Sequence, residues 1–316
     1  MIKTETLNPT PEGIAHAAAI LQGGGLVAMP TETVYGLAGD ARSGHAVARI
    51  FDAKNRPHFN PLIVHLPDLA AARHIAQFDD RALALAAAFW PGPLTLVLPL
   101  REDAMLSPLV TAGLTTVAIR LPAHPVARAL LLAFGGPLAA PSANPSGRVS
   151  PTRASHVSDG LSGRIEAILD GGPCAVGVES TILGLAGPAT LLRPGGISVE
   201  ALEAVLGHPL ALPDGAKITA PGQLASHYAP SAPVRLNVTV PGRNDVYVGF
   251  GQSQHATALS LSATGNLIEA AANLFHILRE ADQIANGRPI AFAPIPDHGL
   301  GRAINDRLTR AAAPRP

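Results

Sequence analysis

Two stretches of this chain, Ala82–Leu100 and Ala129–Gly147, run for 19 residues each without a charged side chain. That approaches the ~20 apolar residues a helix needs to cross a bilayer. Trp90-Pro91-Gly92-Pro93 interrupts the first, and Gly135-Gly136-Pro137 with Pro141 interrupts the second. Proline removes a helical hydrogen bond and clashes with the preceding turn, so neither stretch continues as one spanning helix. Each reads instead as buried helix, turn, buried strand. Hydrophobic residues make up 47% of the chain, ample for real cores, but aromatics only 4%. Ala, Leu, Val and Ile must therefore do most of the packing. The opening Met-Ile-Lys-Thr-Glu-Thr-Leu-Asn has no signal-peptide core, and the chain is expected to be cytoplasmic with no membrane partner.

Short apolar runs alternate with helical patterns. Thr10-Pro11-Glu12 opens a helix that stops at Gly23-Gly24-Gly25. Leu26–Met29 reads as a strand, and Ser43 caps a helix through Lys54. Leu62–Leu66 is a strand, and a helical pattern runs from Asp68, with a break, to Trp90. Leu94–Leu100 and Thr115–Arg120 are apolar enough to be central strands. His124–Phe134 is helical and Leu138–Ala140 extended. Ile165–Leu169, Val178–Leu183 and Ala189–Leu192 add strands, and Ser198 caps a helix ending at Gly207. This order predicts an α/β fold around a twisted mixed sheet flanked by helices over residues 1–207.

Residues 208–233 carry Pro209, Pro213, Pro221, Pro230 and Pro233 and no hydrophobic period, the mark of a linker or lid. Beyond them, Val246–Phe250, Ala258–Leu261 and Ile290–Ala293 read as strands, Asn266–Ile284 as an amphipathic helix and Gly299–Ala312 as a final helix. Residues 234–316 are thus expected to form a smaller, Rossmann-like α/β domain.

Several chemistries are excluded. Cys174 is the single cysteine, so intramolecular disulfides and thiolate zinc sites are ruled out by counting. With 23 basic and 23 acidic residues the formal charge is zero, which argues against a large basic footprint for nucleic acid. Lys3, Lys54 and Lys217 are the only lysines, and none follows a P-loop; Gly-x-Gly-x-x-Gly, Gly-x-Ser-x-Gly and His-Glu-x-x-His are absent. The 12 histidines are scattered, which disfavours a transition-metal site.

What remains are polar clusters just beyond predicted strands, where open α/β sheets bind ligands. Pro30-Thr31-Glu32-Thr33-Val34-Tyr35-Gly36 offers hydroxyls to a small substrate, or merely satisfies a turn. Lys54-Asn55-Arg56-Pro57-His58-Phe59-Asn60-Pro61 places two cations in a proline-stiffened loop, suited to a triphosphate, although a helix C-terminus favours cations anyway. Arg120 ends an apolar strand and needs a partner, either a substrate carboxylate or an internal Asp or Glu. Pro141-Ser142-Ala143-Asn144-Pro145-Ser146-Gly147, followed by Ser150 and Thr152, can cradle phosphate or form an ordinary loop with Thr152 as a helix cap. Glu179-Ser180-Thr181 and Arg193-Pro194-Gly195-Gly196 complete the set.

Taken in order, these strings resemble the YrdC-like threonylcarbamoyl-AMP synthase family in its long two-domain form. The matching strings are PTETVYGL from Pro30, KNRP from Lys54, NPL at Asn60 and VH at Val64. WPGPLTLVL from Trp90, VAIRLP from Val117, PSANPSG from Pro141, VESTI from Val178 and LRPGGIS from Leu192 follow. APGQLASHYAP from Ala220 resembles that form's interdomain loop; NLFHILREAD from Asn273 and GLGRAINDRLTRAA from Gly299 resemble its C-terminal domain. The resemblance implies conversion of ATP, bicarbonate and L-threonine to threonylcarbamoyl-AMP and pyrophosphate, with Mg²⁺ carried by ATP. A downstream tRNA threonylcarbamoyl transferase, and tRNA itself, are the implied partners. By position, Lys54, Arg56, Ser142 and Asn144 form the family signature. Thr33, His65, Arg120, Ser142 and Ser180 would contact threonine. Arg56, Asn60, Thr116, Asn144, Thr152 (or Ser150 in its place), Arg193, His227 and Tyr228 would contact ATP. Two other readings remain: a carbamoyl-adenylating enzyme of another pathway, whose usual cysteine-rich zinc modules one cysteine cannot build, and an RNA-binding module of the same fold.

Overall fold

The computed structural model describes residues 2–57, 60–212, 227–253, 255, 257 and 259–314. Ten strands make one mixed sheet. They are β1 (Glu5–Leu7), β2 (Val27–Met29), β3 (Gly36–Asp40), β4 (Ile63–His65) and β5 (Leu94–Pro99). Then come β6 (Thr116–Arg120), β7 (Leu138–Ala139), β8 (Ala167–Leu169), β9 (Thr181–Gly184) and β10 (Thr190–Arg193). Their spatial order is β1-β8-β2-β3-β7-β4-β6-β5-β9-β10. The helices around them are α1 (Pro11–Gln22), α2 (Gly44–Lys54), α3 (Leu69–Arg73) and α4 (Asp80–Phe89). The short α5 (Pro108–Thr111), then α6 (Pro125–Phe134), α7 (Ala154–Leu161) and α8 (Val199–Leu206) complete this part. A second sheet, with parallel pairings throughout, orders β11 (Val234–Arg235), β14 (Ile290–Phe292), β12 (Val246–Phe250) and β13 (Leu259–Ser262). Helices α9 (Leu267–Ala285) and α10 (Gly301–Ala312) pack with it.

Local chemistry sets many boundaries. Thr10, Ser43 and Ser198 accept hydrogen bonds from Gly13, Ala46 and Ala201 at the starts of α1, α2 and α8, and Pro11 occupies the first position of α1. The two uncharged stretches fold as α4–turn–β5 and α6–turn–β7. The expected break in the pattern from Asp68 falls between α3 and α4, where Asp79 caps a fresh start through the Ala82 amide. Other expectations need correction. Thr152 is not a helix cap: α7 begins at Ala154 without a side-chain cap. Strand β9 starts at Thr181 rather than Val178, so Glu179 and Ser180 are free to face a cavity. His58, Phe59, Pro213, Pro221 and Ala258 lie outside the described residues, as does most of the expected lid. Its ends are tied down: Ala211 bridges to Thr190, and Ala229 bridges to Arg148.

Side-chain alternation along the strands locates the site. Leu26, Ala28, Leu37, Val64, Leu94, Leu96, Ile119 and Leu183 belong to the main core under α2 and α4. Their neighbours point the other way. On one side of the sheet that second face, Val27, Met29, Leu138 and Leu169, is covered by α1 and α6. On the other side it carries only Ile63, Val97, Ala118 and Ile182. Two residues along the same strands, hence on the same face, stand His65, Thr95, Arg120 and Ser180. The sheet is sealed on one face and open to a ligand at one end of the other.

The second sheet does not keep its core to itself. Val34, Val149 and Val178 pack into the same cluster as Ala271, Leu274, Phe275 and Ile304. Gly177 makes the approach possible. At φ +74°, a Cβ there would lie 2.4 Å from Ala272 Cα and 2.5 Å from the Ala271 carbonyl in α9. Gly163, at φ +81°, faces open space. Gly163→Ala should therefore cost only about 1 kcal/mol, the left-handed penalty. Gly177→Ala adds a backbone collision and should cost at least about 2 kcal/mol more, read from urea midpoints. Equal midpoints for the two variants would contradict the close approach.

Candidate active site

A row of polar groups crosses the central strands at the open end of that face. His65 and Arg120 are the last residues of β4 and β6 and stand opposite one another. Arg120 is also opposite Thr95 of β5, and Thr95 Oγ1 lies 2.7 Å from Ser180 Oγ, just before β9. The bridge between Gly36 and Ser142 draws the Ser-Ala-Asn loop to the same place. Thr31, Thr33, Arg56, His65, Arg120, Ser142, Glu179, Ser180, Arg193, His227 and Tyr228 line one cavity.

Proton counting fixes directions at one end. Thr31 Oγ1 spends its proton on the Val34 carbonyl (2.6 Å), so the Thr33 hydroxyl donates to Thr31 (2.9 Å). Thr33 in turn accepts from Arg120 Nη1 at 2.8 Å. Arg120 Nη2 lies 2.7 Å from Glu32 Oε1, and Nε donates to the Gly92 carbonyl at 3.3 Å. The internal carboxylate that the sequence left open is thus Glu32. Despite the desolvation that raises it, the Glu32 carboxyl stays below its ordinary range because of Arg120. Burial, then the charge of Arg120, pushes His65 down to about 3. Neutral His65 turns Nδ1–H to the Ile63 carbonyl (3.3 Å), which leaves Nε2 as an acceptor.

The cations are held differently. Lys54 Nζ donates to the Ser142 and Asn144 carbonyls, at 2.5 Å each. It does not line the cavity; it ties the Lys-Asn-Arg loop to the Ser-Ala-Asn loop. Burial, then Arg56, holds its pKa well below the ordinary lysine value. Arg56 donates to the Pro61 carbonyl at 3.1 Å and the Asn60 carbonyl at 3.4 Å, and burial lowers it to about 10, still charged at neutral pH. Arg193 Nη2 donates to the Ser180 carbonyl at 2.9 Å. Carbonyls satisfy N–H donors without cancelling the charge. Among the described residues the buried cations are Lys54, Arg56, Arg120, Arg193 and Arg307, against the buried carboxylates Glu32 and Glu179. Buried basic side chains thus outnumber buried carboxylates by five to two.

Other expected residues lie beyond the cavity lining. Asn144 Nδ2 is used by the Pro145 and Arg148 carbonyls, while Asn144 Oδ1 and Asn60 Oδ1 are buried without a hydrogen-bond partner among the described residues. Such orphan acceptors call for a donor. Thr116 shares the face of Arg120 but stands four residues away, about 13 Å along the strand. The Thr152 amide donates to His156 Nδ1 at 3.2 Å. His227 and Tyr228 close the cavity. Tyr228 is at φ 61°, its ring 5.4 Å from that of Phe275 and 5.2 Å from the Arg307 guanidinium carbon. The remaining space is about 50 Å³, room for a few waters.

Fold and pocket together define an α/β ligand-binding protein of YrdC-like architecture, with buried positive charge at its open face. The family model described as "Telomere recombination" (Sua5, YciO and YrdC) matches residues 19–195. The model described as "Threonylcarbamoyl-AMP synthase, C-terminal domain" matches residues 197–313. The chain belongs to the threonylcarbamoyl-AMP synthase family of enzymes. It is 43% identical to the threonylcarbamoyl-AMP synthase of Bacillus subtilis, over 99% of this chain and 96% of that one. It is 42% identical to the protein of that name from Pyrococcus abyssi, over 96% and 94%. The crystal structure of P. abyssi Sua5 complexed with L-threonine superimposes with a TM-score of 0.88 at 38% identity, covering 99% of this chain and 97% of that one. No helix among the described residues is long and apolar enough to cross a membrane.

Sequence reasoning missed Thr95, His156 and Arg307, and quoted Glu32 and Glu179 without assigning them a part. Arg307 had a signal: it falls on the apolar stripe of α10 with Ala303, Ile304, Leu308 and Ala311.

Burial depresses His65, His156 and His227 each to about 3. A histidine whose folded pKa is lowered stabilises fully above its unfolded value of about 6.5 and loses that contribution as pH falls toward 3. Each adds up to about 1.4 kcal/mol per pH unit within that window. Urea midpoints should fall from pH 7 to pH 5, and His65→Gln should flatten the decline. Level midpoints would contradict neutral, buried histidines.

Proposed function

We propose that this chain is a cytoplasmic L-threonylcarbamoyladenylate synthase, converting L-threonine, bicarbonate and ATP to threonylcarbamoyl-AMP and pyrophosphate. The single observation that carries this reading is the positive surplus held on carbonyls, beside a neutral patch of hydroxyls and imidazole. Such charge is ready for a polyphosphate and pre-organised before it arrives. Thr33, His65, Arg120, Ser142 and Ser180 would hold threonine, with His65 Nε2 and Ser180 reading its donors. A pocket that hydrogen-bonds a hydroxyl rejects analogues lacking one, because its own groups are stranded. Arg56, Asn60, Thr116, Asn144, Thr152, Arg193, His227 and Tyr228 would take ATP, laid along the strand face from Arg120 toward Thr116. Lys54 would act through the loop it ties together.

The threonine amine attacks bicarbonate to give a carbamate and water. A carbamate oxygen attacks the α-phosphorus, and the bond to the bridging oxygen breaks to release pyrophosphate. Mg²⁺ arrives on ATP as part of the substrate. Catalysis is positioning and charge stabilisation, with no covalent enzyme intermediate. The product would pass to a tRNA threonylcarbamoyl transferase, and so to tRNA. In this reading residues 1–207 are catalytic, 208–233 form a lid, and 234–316 are a C-terminal domain. The cavity is too small for a nucleotide with His227 and Tyr228 in place, so the lid opens for substrate to enter.

The test is pyrophosphate release by the purified chain with ATP and bicarbonate, with and without threonine. Threonine-dependent release is expected, and Arg56→Ala should lower it at least about 100-fold. Release indifferent to threonine would favour carbamoyl adenylation by another route; no release with RNA binding would favour the non-catalytic module.

A further inference from the structure

Glu179 is a buried carboxylate on the wall of the cavity, where a polyphosphate would meet a like charge. Its partner comes from the far end of the chain. Arg307, 1% exposed on α10, places Nε 2.7 Å from Glu179 Oε2 and Nη1 2.6 Å from Asp306 Oδ2. Ser150 Oγ donates to the other Glu179 oxygen at 2.5 Å. The Arg307 guanidinium also lies over the Tyr228 ring, and the Arg310 carbonyl accepts from the His227 amide at 3.3 Å. One turn of α10 therefore touches both the carboxylate and the closing strap.

We propose that Arg307 is a positioning residue for the nucleotide site: it neutralises Glu179 and seats Tyr228, leaving Arg193 and Arg56 charged toward the phosphates. This rests on the cavity being the ATP site. After Arg307, Arg193 is the cation whose charge acts most on Glu179. Without Arg307, the carboxylate would draw Arg193 away from the phosphates, weakening ATP and sparing the threonine end. Buried charges of this kind are costly when one partner is removed, and removing both relieves the cost.

The experiment measures KM for ATP and for threonine in the full-length chain. Arg307→Met should raise the ATP KM at least tenfold and leave the threonine KM within threefold. Adding Glu179→Gln should bring the ATP KM back to within threefold of the Glu179→Gln single variant. An ATP KM within twofold of wild type for Arg307→Met, or a double variant no better than Arg307→Met, overturns the proposal. If Arg307→Met does not fold by circular dichroism, the R307Q/E179Q pair, neutral at both positions, decides. Turnover within fivefold of wild type supports charge neutralisation, and a loss above fiftyfold in a folded protein overturns it. Wild type without threonine-dependent turnover would refute the functional reading alone; equilibrium titration of the same variants with ATP then ranks them without turnover.

Discussion

Buried positive charge without an equal buried negative charge is the constraint on which the rest of the structure depends. A guanidinium or ammonium taken from water must find oxygens for every N–H. This chain supplies most of them in two ways, with Nη2 of Arg120 and of Arg307 left without a hydrogen-bond partner among the described residues. Arg120 and Arg307 meet carboxylates, Glu32 and Glu179. Lys54, Arg56 and Arg193 meet main-chain carbonyls. Carbonyls reach a side chain only if the backbone turns toward it, so the loops after α2 and β7 and the segment leading into β9 take their shape from the charges they satisfy. Gly195 shows how tightly: a Cβ there would lie 2.3 Å from the Glu179 carbonyl and from the Thr181 amide. Only glycine lets the Arg193 turn lie against Ser180.

The same constraint explains why the second sheet belongs to the site. Glu179 needs Arg307 of α10, and Val34 and Val178, each beside a cavity-lining residue, need the apolar face of α9 and α10. Arg279 donates to the Val149 carbonyl, and His276 meets His156, which holds the Thr152 amide. Val149 is thus held directly from the C-terminal side by Arg279, and Thr152 indirectly through His156. The position of segment 149–152 at the expected ATP edge is set by long-range contacts.

Much of the main sheet was legible because apolar period and capping chemistry are local: Thr10, Ser43 and Ser198 mark their helices whatever lies above them. β3 was not legible, since Gly-Leu-Ala-Gly-Asp has low β-propensity and becomes a strand by filling the gap between β2 and β7. The Lys-Asn-Arg and Ser-Ala-Asn loops were legible as a pair, but not the direction of Lys54. Its charge looked like a phosphate ligand; position 54 extends the buried stripe Ala46, Val47, Ile50 and Phe51, which sends the ammonium inward to carbonyls. Arg307 repeats that pattern on α10. A cation in register with an apolar stripe has a buried partner elsewhere in the chain, and only folding names it. Zero net charge likewise bounds the surface and says nothing of how charge is sorted between surface and interior.

Closure of the strap follows from the same sorting. Tyr228 sits in a left-handed conformation that costs about 1 kcal/mol for a residue with a Cβ. Against this, burying the ring beside Phe275 contributes about 2–3 kcal/mol, and the Arg307 guanidinium over its face about 0.5–2. In the proposed lid reading these contacts would favour the closed strap against the entropy of ordering it. A nucleotide entering through an open form would have its apparent affinity reduced by that form's population. Phosphates that gather Arg56 and Arg193 around them would recover it, because the strap then closes over a ligand instead of water. In that reading the C-terminal part would govern how often the site opens as well as how its charges are arranged, through one turn of α10 that holds both Glu179 and Tyr228.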